Sequence, residues 1–518
     1  MEIKTAFPSI AVYLFWFAVS YVVFVVYYRL YLHPLRSYPG PPLAKVTNSY
    51  ALFHASLADL HRQTLLDHEK YGSVLRHGPD KLVFNSAKAL QDIYHNNKVV
   101  KSRAYLASLK GPNTYNLFNV INKDLHRERR QLVAPVVNER SMQKFEPVMV
   151  EQIDLFIQTI RQSCEGDNTY ALDMTDKCKY LGMDIVGLLA FGYHLRLQTE
   201  ENNRFIIDTL KITNYGLNLC MQQPLLARLH LEVLLFLRAA IKGKSYLRTI
   251  EKMIRERVSQ EKHAHHDFFS YVANRMKTST GNNVWGSEIW TEAIFFLSAG
   301  GDTVSTALSA MFFYLSRNED CYRRLASEIR SGFTDATDIC GSRLSGCRYL
   351  RACIDETLRM SPPLPGTLWR EEVTGGKIGQ DPLIVDGHVV PPGTQIGVNI
   401  YALHHNEEYF PDPFKFYPER WLTDEPGQAD RKAFAPFSVG SRSCAGKAMA
   451  YLEMSLVVAK TLWHFDFEKA PGRLGKIGSI RPPGAYKWEG EDVYLLRDIF
   501  VSAHDGPYLV FKPKETLG

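Results

Sequence analysis

The decapeptide Phe437-Ser438-Val439-Gly440-Ser441-Arg442-Ser443-Cys444-Ala445-Gly446 sets one cysteine among two glycines, an arginine and an aromatic residue. Cys444 stands just before AGKAMAYLEMSLVVAKTLWHF, whose apolar spacing predicts an amphipathic helix. A helix N-terminus carries positive partial charge and free N–H groups, which favour thiolate over thiol. A thiolate is a soft metal ligand. Gly440 permits a tight turn, Arg442 offers a permanent cation to an anionic group, and Phe437 can shield the sulfur from water. The other seven cysteines lack such a loop and read as buried structural residues.

Two further constellations stand out. Ala299-Gly300-Gly301-Asp302-Thr303 lies inside an apolar, helically spaced stretch over 286–317. Adjacent glycines inside a helix cost about 1 kcal/mol each relative to alanine. An acid in apolar surroundings is costly as well. The Thr303 hydroxyl can return to the Ala299 carbonyl and bend the helix locally. Glu356 and Arg359 sit one turn apart on one helix face and can pair. Proline-rich chain follows them, then Pro418-Glu419-Arg420-Trp421, then the Cys444 loop. The E-x-x-R spacing alone is weak, since Glu201 and Arg204 repeat it as a solvated pair.

Together these residues resemble the cytochrome P-450 family. Phe437 to Gly446 matches its haem-binding signature F-x-x-G-x-R-x-C-x-G, and five fixed residues in ten arise by chance in roughly one chain in ten thousand. The resemblance implies haem b, with Cys444 as axial ligand of the iron and Arg442 against a propionate. A thiolate ligand pushes electron density into the iron and favours O–O cleavage. Ala299–Thr303 matches A-G-x-[DE]-T, whose small residues leave room for dioxygen and whose acid and alcohol, here Asp302 and Thr303, relay protons. Val304 stands where many relatives carry a second Thr or Ser. Glu356, Arg359 and Arg420 fill the family's structural triad, which locks the cysteine loop as outer groups do around metals. His126-x-x-x-Arg130 resembles a W/H-x-x-x-R pattern facing a propionate, with His in place of the commoner Trp. Arg370 matches another propionate position. Family topology places substrate-facing segments at 105–122, 295–300 and 364–367, and a channel roof at 205–237. The apolar residues of that roof could also enter a membrane surface.

The implied activity is a haem-thiolate monooxygenase. One oxygen atom of O2 would enter a lipophilic organic substrate and the other would become water. Electrons would come from NADPH through a membrane-bound NADPH–cytochrome P-450 reductase, with cytochrome b5 as a second donor, since no flavin or nicotinamide motif occurs here. The style of PFKFYPERW and PFSVGSRSCAGKAMAYLEMSL is nearest to microsomal enzymes of fungal secondary metabolism. Two other readings stay open: a non-oxygenating isomerase or dehydratase, whose members often lose the acid–alcohol pair, and a non-catalytic membrane haem sensor. Nothing in the sequence names the substrate.

These residues need a scaffold. Helical spacing predicts helices at 144–162, 175–192, 225–241, 286–317, 320–330, 348–360 and 444–464. Strand signals lie at 73–85, 383–390, 394–399 and 494–511. The expected class is mainly α with a small β-rich portion. From Phe7 to Tyr28 the chain carries no charge over 22 residues, enough to cross a hydrocarbon core of roughly 30 Å. Arg29, Arg36 and Lys45 follow, which orients the body toward the cytosol from a single-pass endoplasmic-reticulum anchor. The expected division is an anchor over 1–32, a stiff extended proline hinge over 33–42 and one catalytic domain over 43–518. A net charge of +6 over 518 residues gives no dense basic patch for nucleic acid. Eight scattered cysteines give no disulfide framework.

Overall fold

The computed structural model describes residues 3–514 apart from 110, 112–113, 166–169, 230–236, 262–266, 273–286, 374–381, 424–428 and 480–492. Helices dominate, and small sheets flank them. The main helices are α1 (Ile3–Tyr27), α2 (Lys123–Val133), α3 (Glu139–Ser163), α4 (Met174–Phe191), α5 (Phe205–Gln222), α6 (Leu237–Val258), α7 (Glu288–Leu315), α8 (Arg348–Met360) and α9 (Lys447–His464).

The central helix α7 starts at Ser287, whose side chain accepts from the Trp290 N–H, and Glu288 in its first turn suits the helix dipole. It crosses α4 at close range. A Cβ on Gly300 would lie 2.6 Å from the Val186 side chain, one on Gly182 would lie 2.7 Å from the Gly301 carbonyl, and one on Gly301 would strike Met183. The glycine pair therefore serves a helix crossing, which repays its cost in helix propensity by close packing. Beside it, α9 packs on α3, and Leu308, Met311, Phe312, Leu456 and Val457 join the main core.

The strands are β1 (Val74–Gly78), β2 (Lys81–Phe84), β3 (Val99–Lys101), β4 (Leu172–Asp173), β5 (Arg370–Glu372), β6 (Leu383–Val385), β7 (His388–Val390), β8 (Gln395–Val398), β9 (Phe465–Lys469) and β10 (Tyr508–Pro513). The largest sheet runs β1-β2-β8-β5-β3. Its β2–β8 pair is parallel, from Lys81 opposite Gln395 to Phe84 opposite Val398. A second sheet runs β4-β10-β9.

Several boundaries differ from expectation. The segments 73–85 and 383–390 are hairpins, the second turning at Asp386-Gly387 with φ of +48° and +78°. Asp-Gly is the pair that such a turn favours. Of 494–511 only the end is strand, because Phe500 is left-handed at φ +85° and a proline follows Gly506. The stretch 225–241 contributes Pro224–Arg228 and the start of α6, and 230–236 lies outside the described residues. Short helices at Ser49–Ser56, Leu60–Tyr71 and Ala87–Tyr94 were not predicted.

The helix α1 and the turn Tyr28–Leu32 after it form a span from Val12 that is long and apolar enough to cross a membrane, with none of it buried in the protein. The proline run after it is not extended throughout. Pro42 opens the one-turn helix Pro42–Val46 at its first position, where a missing N–H costs nothing. The run is also bonded to the body. The Arg76 N–H donates to the Pro39 carbonyl, and its Nη1 donates to the Arg29 carbonyl, both at 2.7 Å.

Candidate active site

Cys444 sits in a tight loop. Its N–H donates to the Phe437 carbonyl at 2.8 Å, and the Ser443 N–H donates to the Gly440 carbonyl at 3.1 Å. Gly440 adopts φ +76°, and any side chain there would collide with the Tyr94 carbonyl, so only glycine fits. The sulfur is open to one large cavity of about 1120 Å³ and enclosed by protein elsewhere. Burial raises the thiol above its usual range, against the Gly446 N–H, Arg130 and Lys447. The helix α9 starts only at Lys447, with Gly446 as its cap. The Gly446 N–H at the start of the helix favours the thiolate, as the sequence suggested, and burial opposes it. A bound metal cation would fix the thiolate, because a coordinating thiol is deprotonated.

Five cations line the same cavity; Lys101, Arg130, Arg370 and Arg442 act on one another as a cluster, while Lys244 lies on α6. Arg442 donates to the carbonyls of Val120 at 2.7 Å and Ile121 at 2.9 Å. Arg130 donates to the Ser443 carbonyl at 2.7 Å, and Arg370 to the Trp369 carbonyl at 3.1 Å. Lys101 donates to the Phe118 carbonyl. Burial, with Arg370 adding repulsion, lowers Arg442 to about 10. Burial and the three arginines press Lys101 well below its ordinary value. Among the described residues none of the four pairs with a carboxylate. Such a set calls for an anionic guest. Lys101 escaped the sequence reading, since a single lysine in a strand carries no local signal. His126 is buried but does not line the cavity. Burial, followed by Arg442 and Lys101, holds it at about 3, so it is neutral at pH 7.

On the α7 side, Ala299, Gly300 and Thr303 line the cavity, and the Thr303 hydroxyl donates to the Ala299 carbonyl at 2.7 Å. Asp302 does not line it. One residue is about 100° of helix turn, so the carboxylate points elsewhere. It accepts from Asn214 Nδ2 at 3.2 Å, and Asn214 itself lines the cavity. Burial raises the Asp302 carboxyl, while Lys179, Asn214 and Lys211 oppose the rise.

Behind the cysteine loop, Glu356, Arg359 and Arg420 form a buried network. Arg359 reaches both Glu356 oxygens at 3.0 and 2.9 Å, and Arg420 Nε reaches Oε1 at 3.1 Å. The Trp421 indole and the Tyr417 N–H complete the carboxylate's partners at 2.9 and 3.0 Å. Burial opposes ionisation here, but Arg359 and the other donors hold Glu356 below its usual value. His404 extends the network to the cysteine loop. Its Nε2 accepts from the Ala435 N–H at 3.0 Å, which leaves Nδ1 to donate to the Arg359 carbonyl at 3.1 Å. Burial holds His404 near 3, so it stays neutral as this geometry requires. No sequence pattern pointed to His404.

The rest of the lining is largely apolar and includes Phe118, Phe295, Phe296 and Phe500, with Leu210 and Leu217 of α5. Gly366 and Thr367 face a separate small pocket, while Leu364 reaches the main one.

A family model described as cytochrome P450 matches residues 39–482. The chain belongs to the cytochrome P450 family. It is similar to cytochrome P450 monooxygenase poxM of Penicillium oxalicum, with 36% identity over 95% of this chain and 93% of the relative. It is also similar to cytochrome P450 monooxygenase apf7 of Gibberella fujikuroi, with 33% identity over 96% and 98%. A third relative is cytochrome P450 monooxygenase AKT7 of Alternaria alternata, with 32% identity over 95% of each chain. The family implies haem, and the residues present fit it. The Cys444 thiol and the cluster of four cations without a carboxylate partner among the described residues, all on one wide cavity, match a metal macrocycle carrying two carboxylates.

Proposed function

We propose that the chain is a haem-thiolate monooxygenase that oxidises a lipophilic organic molecule with O2 and NADPH-derived electrons. The observation that carries this reading is that Cys444 and Thr303 face one largely apolar cavity whose charged lining near the cysteine is all cationic. Bound haem would supply the redox chemistry and the activation of dioxygen. Cys444 would hold the metal, and Arg130, Arg370, Arg442 and Lys101 would hold the propionates. His126, neutral and behind the lining, supports this set from outside. Phe437 lines the same cavity as Cys444 and packs on Tyr451 at 5.2 Å, where it would limit water near the sulfur. The triad and His404 keep the loop in register. Thr303 spends its proton on Ala299 and presents lone pairs to the cavity, so it accepts a hydrogen bond from an incoming water. Asp302 gathers protons from the side of Lys179 and Lys211 and passes them by way of the polar face at Asn214. The phenylalanines exclude water and favour an apolar substrate.

The one helix among the described residues that is long and apolar enough to cross a membrane supports an anchor in the endoplasmic-reticulum membrane. The catalytic domain over 43–518 would then face the cytosol and the reductase. The relatives are fungal monooxygenases, and a role in a secondary-metabolite pathway rests on the sequence resemblance. The test is the carbon monoxide difference spectrum of the reduced protein. The red-shifted Soret band of thiolate ligation is expected, and Cys444→Ala should abolish it. Survival of the band in that variant refutes the ligand assignment. Product formation without NADPH consumption, in a candidate substrate panel with the reductase, would instead point to an isomerase.

A further inference from the structure

We infer that Glu292 is a positioning residue that clamps the substrate-facing segment 115–120 onto α7, a role that rests on reading the cavity as an oxidation site. Glu292 is wholly buried and lies outside the cavity lining. Its two oxygens accept the Leu117 N–H at 3.0 and 3.3 Å. The preceding residue doubles the attachment. Thr291 accepts Asn116 Nδ2 on its carbonyl at 3.3 Å, and its hydroxyl shares one proton between the Glu288 carbonyl at 2.9 Å and the Tyr115 carbonyl at 3.3 Å. The segment is stiff in itself, because Asn116 Oδ1 accepts the N–H groups of Phe118 and Asn119 at 3.1 and 3.0 Å. Asn119 Oδ1 returns the bond to the Asn116 N–H at 2.9 Å.

The clamp fixes an aromatic wall. Phe118 stacks on Phe295 at 5.8 Å with planes 18° apart, and Phe295 lies one turn after Glu292. Phe500 meets Phe118 edge-on at 5.3 Å. The other end of the segment is held by Arg442 through Val120 and Ile121. Segment 115–122 therefore ties the oxygen-side helix to the cysteine loop, and Glu292 anchors the end that faces substrate. The buried Arg129 pairs with Glu288 at 2.8 Å and leaves Glu292 to its backbone donor. Burial moves the Glu292 carboxyl up to about 7, and a protonated carboxyl still accepts through its carbonyl oxygen. An amide should therefore replace it.

The test uses the haem-loaded full chain in detergent with two azole probes, imidazole and 4-phenylimidazole. Glu292→Ala should weaken 4-phenylimidazole about three- to tenfold, the range expected for a lost aromatic contact, and leave imidazole unchanged. Glu292→Gln should restore wild-type affinity. Thr291→Val removes the hydroxyl contact with Tyr115, keeps the carbonyl bond to Asn116, and should act in the same direction to a smaller extent; it replaces Glu292→Ala if that variant does not fold. Equal weakening of both probes, loss of haem, or failure of Gln to restore affinity would overturn the clamp in favour of a purely structural acid. Unchanged 4-phenylimidazole affinity in both Glu292→Ala and Thr291→Val would overturn it as well. Should the wild type itself show no thiolate band, the oxidase reading fails. Hydrogen exchange at the Leu117 amide then decides the clamp alone, with faster exchange expected in Glu292→Ala and unchanged exchange refuting it.

Discussion

Glu453 lies on α9, the helix that follows Cys444, and is wholly buried. Neither of its oxygens has a hydrogen-bond partner among the described residues. Burial pushes the carboxyl from 4.5 up to about 8. The unfolded chain ionises this group near its ordinary value, while the folded chain keeps the proton to about 8. Stability is therefore lost as pH rises between those two values, and the loss levels off above the second. At about 1.4 kcal/mol per unit the full span is about 5 kcal/mol, an upper bound because water entering beside the carboxylate returns part of it. Glu453→Gln stays neutral and removes the slope. A body of about 470 residues gains roughly 1 kcal/mol per kelvin of unfolding entropy, so the effect on Tm is up to about 5 °C. Thermal unfolding of the full chain in detergent, followed by circular dichroism from pH 5 to 9, measures it. The variant should unfold close to wild type at pH 5 and several degrees higher at pH 9. Parallel pH profiles for the two proteins would refute the claim that Glu453 is a buried, unpaired acid.

Thr303→Ala should leave folding and haem content intact while product per NADPH falls and hydrogen peroxide rises; an unchanged ratio of product to NADPH refutes the proton role. Glu356→Ala leaves two buried arginines without their acid and should cost about 3–5 kcal/mol, seen as haem loss and a lower Tm. Because the Glu356 carboxyl is held below its unfolded value, its contribution is present above about pH 4.5 and is lost as pH falls through the folded value. Removal of residues 1–27 should release protein from membranes with little loss of stability. Removal of 1–32 also deletes the Arg29 carbonyl that Arg76 uses, and should lower Tm measurably further.

The cysteine loop was legible because its determinants are contiguous: Gly440, Arg442 and Cys444 act within one short turn. Long helices such as α7 and α8 were legible through their apolar period. The polar helix α2 offered little such period, and its start depends on Asn122 accepting the Leu125 N–H. Hairpins were read as single strands because their apolar runs continue across two-residue turns. Asp302 and Thr303 were read together as a proton-relaying acid and alcohol, yet neighbours on a helix diverge and of the two only Thr303 lines the cavity. Lys101, His404 and Glu292 were invisible for one common reason. Each acts on backbone groups far away in the chain, and a single residue type carries no trace of such a partner.

The bond between Arg76 and Arg29 has a mechanical consequence. A transmembrane helix longer or shorter than the local hydrocarbon layer adapts by tilting, at fractions of a kcal/mol per Å of mismatch. In a chain with a loose linker that tilt would be absorbed. Here Arg76 is fully buried in the largest sheet and grips both Arg29 and Pro39, while Arg29 grips Val46 in turn. The joint is a bracket, so with the proposed anchor in a bilayer a change of its thickness would rotate the whole body. Lipid composition would then become a lever on how the cavity mouth meets molecules dissolved in the membrane.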